Sequence, residues 1–218
     1  AAGQGLWIGR PVELPGSRPL QLEIGPDLGS DLAEWPAEHV VKVLCFYHPD
    51  DDAAMKSQQE ETVVRLADAA RRNSLEFLLE IIPSKVGPVD DDTTARVIQR
   101  FYDIGVYPDW WKLEPMTSQQ AWARACAAIE RNDPYTRGIV VLGLEAEVDA
   151  LEASFRQAAR FPLVKGFAVG RSIFGTVARK WLAGEIDDAV AVEEMAGIYA
   201  DLCARWDAAL AAAGREAV

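Results

Sequence analysis

The chain is poor in histidine and cysteine, with two of the former and three of the latter in 218 residues. His39 and His48 fall in neither an HxH nor an HExxH pattern. No metal centre is therefore expected, since metal-assisted aldol or hydrolytic chemistry needs a cluster of such ligands. Three cysteines (Cys45, Cys126, Cys203) make an odd count without regular spacing, which argues against a disulfide scaffold and for a reducing, cytoplasmic setting. Cys45 sits in an apolar strand-like run and reads as a small core residue. No apolar run approaches the ~20 residues that cross a bilayer. The opening AAGQGLWIGR has neither the basic start nor the apolar core of a signal peptide. No GxGxxG or GxxxxGK[ST] follows any strand-like run, and no GxSxG is present. Nucleotide cofactors and a serine hydrolase elbow thus lack direct support, and no cofactor is expected.

Positive charge is also scarce: 22 Lys and Arg oppose 34 Asp and Glu, for a net charge of -12. Such a balance repels phosphate backbones, so nucleic acid is not an expected partner. A phosphorylated metabolite would need locally concentrated Lys, Arg and backbone N–H groups.

What is present is a βα rhythm. Five runs read as strands: VVKVLCFY (40–47), LEFLLEII (75–82), DWWKLE (109–114), GIVVLGL (138–144) and GFAVG (166–170). Helical periodicity marks residues 53–72, 93–104, 117–131, 145–160, 172–183 and 187–213, with Gly105 and Gly184 as stops and Asp187 as a start. Near-continuous apolar strands imply a parallel sheet covered on both sides. The strand spacing, roughly 25–35 residues, suits an α/β barrel or a doubly wound sheet. The first 38 residues are Pro- and Gly-rich and irregular, with short extended pieces at 12–14 and 20–24; the regular βα units occupy 39–218, and one domain is the simplest organisation.

Alternation places Trp110, Lys112 and Glu114 on one face of their strand. A lysine rarely enters an apolar strand without a partner. Desolvation would leave part of it as neutral amine, the form that attacks a carbonyl carbon. The same pattern also fits a buried Lys112–Glu114 or Lys112–Glu80 ion pair that only fixes the sheet. Glu80 ends the run FLLE, where it could move protons for an imine on the neighbouring strand or simply form a salt bridge. Lys42 shares the parity of Leu44 and Phe46; taken alone, such a residue is more often a snorkelling edge lysine. Gly166, Ala168 and Gly170 leave space on the last strand. Arg171 and Ser172 then open a helix whose backbone N–H groups, with the arginine, could cradle phosphate. Gly143 offers a second close-approach loop. His48 could face the mouth of a site, while Asp50–Asp52 and Asp90–Asp92 read as solvated loop tips.

Taken together, VVKVLCFYHPDD, LLEIIPS, PDWWKLEPM, VVLGLEA and GFAVGRSIF resemble, in order and spacing, the Schiff-base (class I) barrel aldolases of the tagatose-bisphosphate type. WIGRPVELPGSRPL and WLAGEIDDA bring the chain closer still to the aldolase-like domain fused behind bacterial 5-dehydro-2-deoxygluconokinase, an inositol-catabolic protein. The resemblance implies a TIM (β/α) barrel incomplete at its N-terminus, with about six of the eight βα units. It implies Lys112 as the imine-forming lysine, Glu80 as the proton-transferring carboxylate and Lys42 as a second active-site lysine. Arg171 matches a phosphate-contacting arginine beside Gly170. Gly143 falls in the other phosphate loop, where tagatose-type enzymes carry Ser-Ala-Gly and this chain has Gly-Leu-Glu, so that Glu145 would oppose an anion. The implied substrate is a small phosphorylated keto-sugar acid, 5-dehydro-2-deoxy-6-phosphogluconate. The implied partner is a covalently fused sugar kinase. An open barrel edge is compatible with a homodimer. Two other readings stay open: a non-catalytic phospho-metabolite-binding or assembly module attached to the kinase, and a barrel lyase or isomerase using Lys112 as a general base.

Overall fold

A computed structural model describes residues 3–144 and 148–216. It divides into two compact units, Ala1–Leu113 with Ala123–Gly138, and Glu114–Trp122 with Ile139–Val218.

The first unit is a parallel sheet with helices on its apolar face. Strands β1 (Ile8–Pro11), β2 (His39–Cys45), β3 (Glu76–Ile81) and β4 (Trp110–Leu113) pair in that order. The register sets Val41 beside Phe77, Val43 beside Leu79 and Cys45 beside Ile81; Leu79 and Ile81 then lie beside Trp111 and Leu113. These residues are all buried, and with Val63, Leu66, Val97, Ile98 and Phe101 they form the core. The opposite parity puts Lys42 and Leu44 of β2, Leu78 and Glu80 of β3, and Trp110 and Lys112 of β4 on the other face. Cys45 is the fully buried core residue its sequence context implied.

Helices α2 (Ala53–Arg72) and α3 (Thr93–Asp103) connect these strands. The Asp52 carboxylate caps α2, accepting from the N–H groups of Ala54 at 2.9 Å and Met55 at 3.1 Å. Gly105, at φ 83°, follows α3 as its stop. Across the helical layer, buried Glu60 accepts two hydrogen bonds from Arg100, at 2.9 and 2.7 Å, and one from the Tyr47 hydroxyl at 2.5 Å.

The irregular opening carries more structure than its proline content suggests. Strand β1 occupies Ile8–Pro11, just before the expected extended piece, and a short helix α1 covers Leu28–Ala33. The 12–14 and 20–24 pieces pair antiparallel, with Leu14 N–H donating to the Gln21 carbonyl and Glu23 N–H to that of Val12.

The second unit contains β5 (Gly138–Leu142) from Ile139 onward, its parallel partner β6 (Val164–Ala168), α5 (Val148–Ala158), α6 (Arg171–Leu182) and α7 (Asp188–Ala212). Helix α4 (Gln119–Asn132) begins in this unit and ends in the first. Phe155 stacks on Phe167 at 5.1 Å and meets Trp206 edge-on at 5.4 Å. Gly184 and Asp187 separate α6 from α7 as the sequence implies, the Asp187 carboxylate accepting from Val190 N–H at 2.9 Å. Arg215 donates to the carbonyls of Ala159, Phe161 and Val164, tying the end of α7 to the α5–β6 turn. Among the described residues, no helix is long and apolar enough to cross a membrane.

Candidate functional site

The non-core face of the first unit's sheet gathers four charged side chains. Glu80 and Lys112 are direct register partners on β3 and β4, and Lys42 lies on the same face of β2. Glu80 Oε1 is 3.3 Å from Lys112 Nζ, and Glu80 Oε2 is 2.7 Å from Lys42 Nζ. The fourth member is Glu13. Its Oε1 accepts from Lys42 Nζ at 2.5 Å. The result is a row of alternating charge, Glu13–Lys42–Glu80–Lys112.

The row is shielded from solvent. Side-chain exposure is 4% for Glu80, 9% for Glu13, 16% for Lys112 and 17% for Lys42. Two carboxylates among two amines make such burial tolerable; removing one partner from a pair of this kind costs about 3–5 kcal/mol. The two lysines are not equivalent. Lys42 lies between two carboxylates. Lys112 has the longer link, to Glu80 alone within this row, and its amine titrates below the ordinary lysine value. Burial is the main cause; Glu80 works against it, and the neighbouring Lys42 charge adds to it. A buried amine with a depressed pKa beside a carboxylate can add to a ketone and pass protons during the additions and eliminations that follow.

The structure therefore joins Lys42, Glu80 and Lys112, three residues singled out in the sequence, and it realises the Lys112–Glu80 pair. Glu114 is buried and belongs to the second unit. Gly143, Gly170, Arg171 and Ser172 belong to that unit too. A Cβ on Gly143 would come within 2.7 Å of Val169 Cγ1, so its strand end is open only to glycine. Gly170 caps α6 without a side-chain hydrogen bond, and Arg171 and Ser172 form its first turn. Glu145 lies outside the described residues.

Sequence reasoning missed Glu13. The available signal was alternation in an extended piece: Val12 is fully buried, so Glu13 takes the opposite face, the one Lys42 occupies. Nor is His48 an open functional group. It is buried, with Nε2 2.9 Å from the Pro88 carbonyl and Nδ1 accepting from Asp50 N–H, so it ties two strand-exit loops together. The acidic tips are engaged locally: Asp50 with Arg96, Asp51 with Arg18, Asp52 at the start of α2, and Asp90 with Thr93. Among the described residues, no group of three or more His, Cys, Asp or Glu is placed to hold a metal ion.

Comparison with known proteins identifies the family. Residues 1–210 match the model of an uncharacterized protein family conserved in bacteria, DUF2090. The chain belongs to that family. No curated protein matches it. Among solved structures, it is similar to fructose-bisphosphate aldolase from Plasmodium falciparum, crystallised with TRAP and a small-molecule inhibitor. The TM-score is 0.61 at 16% identity, over 96% of this chain and 70% of that one. It is also similar to Cgl0159 from Corynebacterium glutamicum, with TM-score 0.58 and 20% identity, over 87% of this chain and 62% of that one. At these identities the likeness concerns the fold: this DUF2090 chain has an aldolase-like, α/β barrel-like fold of parallel strands alternating with helices.

Proposed function

We propose that this DUF2090 chain is an aldolase-type lyase domain that cleaves a phosphorylated keto-sugar acid through an imine on Lys112. The observation that carries the reading is the shielded Lys112 amine, depressed below its ordinary pKa, 3.3 Å from the Glu80 carboxylate on the adjacent strand. The aldolase-like fold supports it.

With 5-dehydro-2-deoxy-6-phosphogluconate as substrate, the Lys112 amine adds to the C5 ketone and water leaves, giving an iminium. A base, Glu80 in this reading, takes the proton of the C3 hydroxyl. The C3–C4 bond breaks, its electron pair moves into the iminium to form an enamine, and malonate semialdehyde departs. Protonation at C4 and hydrolysis release dihydroxyacetone phosphate and restore the amine. Glu80 would balance the iminium charge as it forms. Lys42 would stabilise developing negative oxygen. Within the second unit, Arg171 and Ser172, with the N–H groups of the first α6 turn, are the groups that could bind a phosphate. In the same reading, the chain is the aldolase-like part of a longer protein with a sugar kinase, and further strands complete its barrel.

Borohydride reduction in the presence of dihydroxyacetone phosphate tests the imine. The expected result is a covalent mass adduct mapping to Lys112 and absent from Lys112→Met. Full turnover of the keto-sugar acid by a protein that never yields the adduct would instead make Lys112 a general base.

A further inference from the structure

We propose that Glu13 is a positioning residue that acts through Lys42, holding its ammonium so that Glu80 stays engaged with the Lys112 amine. The inference rests on the imine reading of Lys112 and adds a residue to it.

The geometry is the argument. Lys42 Nζ has two carboxylate neighbours, Glu13 at 2.5 Å and Glu80 at 2.7 Å, whereas Glu80 reaches Lys112 at 3.3 Å. Glu80 thus serves two amines, and its link to the reacting one is the longer. Glu13 is nine-tenths buried and is held by a bridge to Leu22 in a segment hydrogen-bonded to β2. Its second oxygen, Oε2, is buried and has no hydrogen-bond partner among the described residues. Such a carboxylate is costly in an apolar setting unless the ammonium beside it compensates it. The pairing is therefore reciprocal: Lys42 stabilises Glu13, and Glu13 offsets much of the positive charge that Lys42 would otherwise direct at Glu80 and Lys112.

The charged groups of the first unit in this row facing Lys112 are Glu80 from β3, Lys42 from β2 and Glu13 from the segment after β1. Glu13 and Glu80 favour the Lys112 ammonium, and Lys42 disfavours it. Neutralising Glu13 leaves the Lys42 charge uncompensated and draws Glu80 toward it. Lys112 then becomes easier to deprotonate and loses part of its support from Glu80.

The test uses two readouts on the full chain. Reductive 13C-methylation followed by NMR titration, with the Lys112 signal assigned by its loss in Lys112→Met, reads the charge state without substrate. Borohydride trapping with dihydroxyacetone phosphate on unmethylated protein reads the imine. In Glu13→Gln, the Lys112 midpoint should fall by about half a unit or more, and the acid limb of trapping should move down with it. Glu13→Asp retains the charge and should stay near wild type; this variant remains informative if the amide variant does not fold. In a Lys42→Met background, the Glu13→Gln shift should shrink, since its route is gone. An unmoved midpoint in Glu13→Gln, an equal shift in Glu13→Asp, or an undiminished shift without Lys42 overturns the role of Glu13 while leaving a Lys112 adduct intact. A wild-type protein that never yields the adduct overturns the imine reading beneath it, whatever the titration does.

Discussion

Burial gives individual side chains different chemistries in this protein. Lys112 and Lys42 are almost equally shielded, yet their carboxylate neighbours differ, and so do the roles available to them. Glu60 shows the same logic on the helical side of the sheet. Burial would raise its pKa, but hydrogen bonds from Arg100 and then Tyr47, with the Arg100 charge, outweigh it and hold the carboxyl below its ordinary value. The Tyr47 hydroxyl is pushed up by burial and by its bond to Glu60. A folded pKa below the unfolded one means stabilisation present above the unfolded carboxylate range, near ~4.3. It is lost as pH falls through the depressed folded value. Glu60→Gln should therefore cost about 1.5–3 kcal/mol at neutral pH. In urea titrations, its deficit relative to wild type should narrow as pH drops from ~5 toward ~3.

Among the elements, α2 shows how a few residues locate a structure. Asp52 supplies the start, while Val63, Leu66 and Ala70 supply the buried stripe of a helix that packs against β3. Asp52→Ala removes two N-cap hydrogen bonds and should cost about 1 kcal/mol. The check is a lowered urea midpoint with an unchanged slope, since the folded surface is otherwise the same. The strands were legible for a different reason. VVKVLC, EFLLEI and WWKL stand out as short, near-continuous apolar runs between helical segments, and the register aligns their two faces across the three strands. Strand β1 was harder to place, because IGRP is four residues long and ends in proline. Such a segment carries little periodic signal, and it forms a strand because β2 offers it a pairing edge.

For the whole molecule, the division into two compact units makes a prediction of its own. Phe155 is fully buried in the second unit, between Phe167 and Trp206. Phe155→Ala should cost about 3–5 kcal/mol, and hydrogen exchange should accelerate in 139–216 more than in β1–β4. Equal acceleration throughout would mean that the two units open as one. The candidate imine chemistry lies in the first unit, where all four members of the charged row reside.

Periodicity and strand parity in the sequence sufficed to determine the βα rhythm and the faces of Lys42 and Lys112 on their strands. Both follow from local backbone geometry, which repeats along the chain. Its motifs, read as a resemblance, pointed to an aldolase-like barrel, and the fold comparison agrees at that level. Tertiary structure alone decided that Glu13 joins the row, that Glu80 is shared between two lysines, and that Lys42 has two carboxylate neighbours where Lys112, within the row, has one. Those facts depend on distances between residues dozens of positions apart. A charge in a sequence does not state its partner; the pairing of β1, β2, β3 and β4 does.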